Sequence, residues 1–212
     1  MVFEITDPRD IETHSMATIV KELNGRTWPE PEFSIVKRCI HTSADFDYAD
    51  NLVFGLDAAN RGVELLKNGA DVITDTKMAM AGINKNALAK HGGEAFCFVS
   101  DPDVVDEAKA RGCTRSTVAV EKASKHAKPT IYVCGNAPTA LIEIDKLVRE
   151  GKYKPAMIVG VPVGFVNVVE SKELIIKTAE EFGIPYIVAK GRKGGSNIGA
   201  TIINAMLYTM GR

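Results

Sequence analysis

Cysteine is scarce in this chain of 212 residues: Cys39, Cys97, Cys113 and Cys134 stand far apart, with no C-x-x-C pair among them. That spacing argues against a zinc site or a disulfide framework, and the four read as reduced thiols of a cytoplasmic protein. Net charge is nearly missing as well, since 26 Lys and Arg against 27 Asp and Glu leave a formal charge of -1. No global field therefore draws nucleic acid or an anionic membrane to the chain, and any anion must be held by a local site. No run approaches the roughly 18 apolar residues of a membrane-crossing helix. The opening MVFEITDPRDIE carries acids and a proline where a secretion signal would have a basic stretch and an apolar core. The expectation is neither export nor insertion. Internal repeats, low-complexity segments and a dividing linker are also absent, so the chain reads as one domain, 1–212, whose 45% apolar residues can fill one large core.

What is present is alternation. Asp7 can cap a first helix and Pro8 suits its first position, while Ile11, Ile19, Val20 and Leu23 recur on one face before Gly25 ends it. RTWPEPEF, with prolines at 29 and 31, reads as a loop, and with Trp28 as a candidate lid or dimer contact. Then FSIVKRCIH, DVITD, EAFCFVS, PTIYVCGN, PAMIVGVPV and PYIVAKG read as strands, separated by helical patterns from DAANRGVELLKNG to GSNIGATIINAMLYTMG. Strands that are apolar throughout, rather than alternating, belong to a parallel sheet covered on both faces. The expected fold class is α/β: a single-domain, three-layer, doubly wound, mostly parallel sheet. Ligands in such folds sit beyond the carboxyl ends of the strands, near the point where the winding reverses. Those ends read HTSAD from His41, TDTKM from Thr74, SDP from Ser100, GNAP from Gly135, VPVGF from Val161 and GRKGGS from Gly191. Strand-to-helix turns use such residues for purely conformational reasons too.

In GRKGGS, glycines and a serine precede the last helix with two cations among them. Backbone amides at a helix start plus Arg and Lys make an anion site, against the plainer reading of a flexible capped turn. The spacing fits neither the dinucleotide fingerprint nor the P-loop. In GNAPTAL the turn at Gly135 and Asn136 leaves amides free above the sheet. Arg115 begins a helix, where the macrodipole disfavours a cation, so it points to an external anion. Lys172 follows Glu170 and Ser171 at the start of another helix, and either of those can cap it. His41 has three readings: a satisfied core histidine at a strand end, a divalent-metal ligand with Asp45 and Asp47, or an acid or base. The other histidines, His14, His91 and His126, lie in helical patterns elsewhere.

Taken in order, Ile11 with Ser15, the R-x-I-H-x-S-A-D-F-D segment (Arg38 to Asp47), D-x-x-M-x-x-A-G-I (Asp75 to Ile83), T-R-S (Thr114 to Ser116), G-N-A-P-T-A-L, V-G-V-P-V-G-F-V-N-V-x-E-S-K-E (Val159 to Glu173) and G-R-K-G-G-S closely resemble the precorrin-8X methylmutase family. The resemblance covers nearly the whole chain. It implies a flavodoxin-like fold, a homodimer and an isomerase of cobalamin biosynthesis that uses no cofactor and no protein-bound metal. In that family a methyl group migrates on ring C of precorrin-8X or cobalt-precorrin-8, giving hydrogenobyrinic or cobyrinic acid. It assigns His41 as the catalytic group that protonates the ring C nitrogen. It assigns Ser15, Arg115, Ser116, Asn136, Gly164, Lys193, Gly194 and Ser196 to substrate binding. Met16 departs from relatives, which more often have Phe after the serine. A corrinoid, a broad apolar ring bearing carboxylates, calls for scattered donors at strand ends and helix starts with apolar walls, and that inventory is present. On this reading His41 is a proton donor, and Asp45 and Asp47 orient the loop rather than bind metal. A non-catalytic corrinoid carrier is the alternative, but a carrier needs no ionisable group facing ring C. A nucleotide-binding regulator is disfavoured by the missing glycine fingerprint.

Overall fold

The apolar runs pair into a sheet of six strands. The computed structural model describes residues 7–211, so Met1 to Thr6 of the opening stretch lie outside the described residues. In chain order the elements are α1 (Pro8–Glu22), α2 (Glu32–Ser43), α3 (Tyr48–Asn51), β1 (Leu52–Gly55), α4 (Ala58–Lys67), β2 (Asp71–Thr74), α5 (Lys77–Gly82), α6 (Lys85–Ala89), β3 (Ala95–Phe96), α7 (Pro102–Arg111), α8 (Arg115–Ala123), β4 (Thr130–Cys134), α9 (Pro138–Arg149), β5 (Met157–Gly160), α10 (Val168–Phe182), β6 (Tyr186–Ala189) and α11 (Ser196–Thr209). The strands lie in the order β1-β6-β5-β4-β2-β3. From β2 to β6 neighbours pair in parallel, and β1 adds an antiparallel edge along β6 with Leu52 opposite Ala189. Without that edge, the order is that of a flavodoxin-like sheet, and the winding reverses between β2 and β4. The expected fold class holds.

Strand β4 shows why the layers form. All five of its residues are buried. Ile131 and Val133 pack into a core with residues of α1, α2, α4 and α11, while Tyr132 and Cys134 point into a second core with α8, α9 and α10. A strand apolar on both faces needs helices on both sides, and the βαβ connections supply them.

FSIVKRCIH, expected as a strand, is instead most of α2. Ile35, Val36, Cys39 and Ile40 are its buried residues, a spacing that makes one stripe at 3.6 residues per turn and cannot line one face of a strand. Burying each large aliphatic side chain contributes about 1.5–3 kcal/mol, which outweighs the β preference of its branched residues. His41 therefore sits in the last turn of a helix rather than at a strand end. Of the apolar face expected for α1, Ile19 and, just past the helix end, Leu23 are buried, whereas Ile11 and Val20 are 48% and 44% exposed. Trp28 is half-buried, stacked on Phe33 at 5.9 Å between centroids and packed against the core. Among the described residues no helix is long and apolar enough to cross a membrane.

Candidate active site

Where the winding reverses, the end of β2 meets the end of β4 through one carboxylate. Asp75, 1% exposed, accepts the backbone N–H groups of Gly135 (2.8 Å), Asn136 (2.8 Å) and Ala137 (2.7 Å), with the Cys134 thiol donating from 3.6 Å. The GNAP amides, expected to be free above the sheet, are therefore taken: they precede α9, and Asp75 supplies the cap that the turn cannot supply itself. Burial pushes the Asp75 carboxyl up, and the backbone donors pull against it. Donors alone face it, and an ionised carboxylate is the form that can accept from all of them. The next residue, Thr76, caps α5 by accepting from Ala79 N at 3.1 Å and shares a 2.7 Å hydrogen bond with Ser196, the first residue of α11.

Beside these turns opens a cleft of about 510 Å³ lined by Thr76, Lys77, Ser100, Arg115, Ser116 and Asn136, among others. Three expected site residues, Arg115, Ser116 and Asn136, therefore share one wall-and-floor arrangement. Arg115 opens α8, whose cap Thr114 accepts from Thr117 N at 3.2 Å and shares a 2.9 Å hydrogen bond with Thr139 of α9. Arg115 and Lys77 are exposed and form no ion pair with another described residue. Two cations without an ion-pair partner among the described residues, in a cleft whose one carboxylate, Asp75, is taken by backbone amides, suit an anion from outside. Clefts of about 460 and 550 Å³ also occur at the opposite edge of the sheet, lined by Lys154 and Ala156 just before β5. Those clefts lie at the opposite ends of the strands from the expected site residues Arg115, Ser116 and Asn136.

The loop between β6 and α11 joins this cleft to the rest of the site. Lys193 Nζ lies 2.6 Å from a carboxylate oxygen of both Asp45 and Asp47. That ammonium occupies the position a metal would need, and among the described residues no group of three or more His, Cys, Asp or Glu could hold a metal ion. Lys193 lowers the Asp45 carboxyl below its ordinary range. Gly194 lies so close to β5 that a Cβ there would stand 2.2 Å from Val161 O, and at Gly135 one would stand 2.7 Å from Ser196 Cα. Only glycine lets the β4, β5 and β6 turns close on one another. Gly164, on the turn after β5, donates its N–H to Arg192 O at 3.2 Å and so belongs to the same loop assembly.

His41 and Ser15 make the remaining pair. Ser15 Oγ is hydrogen bonded to His41 Nδ1 at 2.8 Å, and the imidazole is exposed. The adjacent Thr42 shares a 3.0 Å hydrogen bond with Thr201 of α11, the helix whose first residue contacts Thr76. The three groups thus hang on one frame. Sequence reasoning passed over Thr76 and Asp75 as individual site residues, although both lie in a flagged strand end. Asp75 directly follows the apolar run of β2, and a carboxylate at that strand end was the available signal.

A model of the family described as precorrin-8X methylmutase matches residues 10–209. The cobalt-precorrin-8 methylmutase of Salmonella typhimurium is 44% identical over 211 residues, covering 96% of this chain and 96% of its own. That of Leptospira interrogans is 42% identical over 203 residues, covering 94% of this chain and 92% of its own. The crystal structure of the precorrin-8x methyl mutase from Thermus thermophilus matches with a TM-score of 0.83 at 33% identity, over 94% of this chain and 96% of that one. With the family model spanning both the cleft and the His41 turn, this chain belongs to the precorrin-8X methylmutase family.

Proposed function

We propose that this chain, acting as a single domain, is the isomerase of cobalamin biosynthesis that moves a methyl group on ring C of precorrin-8X or cobalt-precorrin-8, giving hydrogenobyrinic or cobyrinic acid. The observation that carries the reading is an exposed imidazole, held by Ser15, on the same frame as a cleft lined by unpaired cations. Arg115 and the polar groups of Ser116 and Asn136 take substrate carboxylates, and the β6–α11 loop with Lys193, Gly194 and Ser196 borders the ring. These contacts act on substrate and transition state alike. His41 acts on the chemistry: its imidazolium gives a proton to the ring C nitrogen, which draws electron density from the ring and favours the methyl shift. The shift is intramolecular and the product is an isomer of the substrate, so His41 ends each turnover protonated again.

The protein acts as a homodimer on this reading. Val163, Phe165 and Val166 support it, since they are 46%, 84% and 76% exposed on the turn after β5, and apolar side chains clustered in water favour a partner. Sizing with light scattering at micromolar concentration should give twice the chain mass, and a monomer would refute the dimer. The widely spaced free cysteines support a reducing, cytoplasmic setting.

The test of function is incubation with cobalt-free and cobalt-containing substrate in parallel. The product should have unchanged mass and the absorbance spectrum of the corrin acid. Tight corrinoid binding without spectral conversion of either substrate would make the chain a carrier instead.

A further inference from the structure

Helix α10 buries a lysine. Lys172 is 1% exposed, and its ammonium donates to the carbonyls of Gly191 and Lys193, each at 2.8 Å. It forms no ion pair with a carboxylate of another described residue. Burial pushes its amine down to about 8. A buried cation without a counter-ion is costly, and a methionine of similar volume would fill the space at less expense. The surroundings explain the choice of side chain. Two carbonyl oxygens converge on one point, and a lysine brings donors there without an acceptor, which a glutamine cannot do.

Those carbonyls belong to the loop between β6 and α11. The other ties to the loop's backbone include Lys190 N to Asn51 O at 2.8 Å, Gly164 N to Arg192 O at 3.2 Å, Gly195 N to Val161 O at 2.8 Å and the Tyr48 hydroxyl to Gly194 O at 3.4 Å. Pinning the carbonyls of residues 191 and 193 fixes the turn between them, and so the direction in which the Lys193 side chain leaves toward Asp45 and Asp47, just after His41. We propose that Lys172 is a positioning residue of the active site, its buried ammonium clamping the carbonyls of Gly191 and Lys193 so that the loop bearing Lys193, Gly194 and Ser196 is set against the His41 turn and the cleft. This rests on the reading of that loop as part of the substrate site. Lys172 touches no substrate and acts through the loop.

The test is Lys172→Met, which keeps roughly the volume and removes the donors. Trypsin cleavage after Arg192 and Lys193, both exposed, should accelerate about tenfold or more relative to cleavage after exposed Lys125 in the same sample, the scale of losing charge-assisted hydrogen bonds. Turnover should fall by a similar factor. In the double variant with Lys193→Met the losses should not multiply, because both changes disable one loop. Unchanged relative cleavage, unchanged turnover, or losses that multiply would each overturn the proposal. Should the variant not fold, nitrogen-15 spectra of the unmodified protein decide: slowly exchanging Lys172 ammonium protons support the clamp, and exchange as fast as that of Lys125 refutes it. Cleavage and exchange do not involve His41, so a failure of its acid role would leave these readings intact, and the reverse also holds.

Discussion

Ser15 Oγ lies 2.8 Å from His41 Nδ1, a contact across 26 positions that joins α1 to the last turn of α2. The hydroxyl fixes the ring's orientation through one nitrogen, and on the proposed function Nε2 is the nitrogen left for the substrate. Ser15→Ala should lower turnover by roughly threefold to tenfold, the worth of one hydrogen bond, with little change in product affinity. Steady-state kinetics beside product titration would read this, and a change in affinity alone would return Ser15 to a substrate-holding role.

His41→Ala should reduce turnover by about two orders of magnitude or more, the scale of general acid catalysis, while product binding weakens far less. A folded variant that turns over normally would make His41 a bystander at a helix end.

Arg115→Ala should show the opposite profile. Its guanidinium lines the cleft without an ion-pair partner among the described residues, so on the proposed function its loss removes binding shared by ground and transition states. The Michaelis constant should rise by roughly tenfold or more and turnover should change less. Initial rates over a range of substrate concentrations separate the two effects.

Asp75→Asn should destabilise the fold by about 1–3 kcal/mol, because the amide presents a donor to backbone N–H groups that need an acceptor. Urea denaturation would measure it. The exposed Asp106 offers a control, since the same change there should shift the midpoint little.

Acid should loosen the Lys193 contact later than it titrates ordinary aspartates. Lys193 holds the Asp45 carboxyl below its usual range, so this contact contributes stability above the unfolded-state value and loses it only as pH falls through the lower folded one. The gap in thermal midpoint between wild type and Asp45→Asn should therefore persist down to about pH 4, where a free aspartate is half protonated, and close below it. The gap is small, since the Lys193 and Asp45 side chains are 44% and 29% exposed. Closure well above pH 4 would contradict the pairing.

DVITD, PTIYVCGN, PAMIVGVPV and PYIVAKG were legible as core strands because full burial on both faces leaves a continuous apolar run in a single stretch of chain. FSIVKRCIH was not, since a short run of branched residues fits either period and only the packing of α2 against α11 decides for the helix. LVFG escaped notice because its four residues form a strand only by pairing with β6, more than a hundred positions later. The same division runs through the site. Each segment announced itself locally, as a glycine-rich turn with cations, an arginine at a helix start, a histidine before two aspartates. Which groups meet did not, for Ser15 reaches His41 across 26 positions, Thr76 reaches Ser196 across 120 and Lys193 reaches Asp45 across 148. Local composition determines which residues can hold an anion or give a proton. Only the winding of the sheet, by bringing the ends of β2, β4, β5 and β6 to one edge and laying α2 beside α11, decides that they stand together, because hydrogen bonds and ion pairs depend on distance in space and not on separation along the chain.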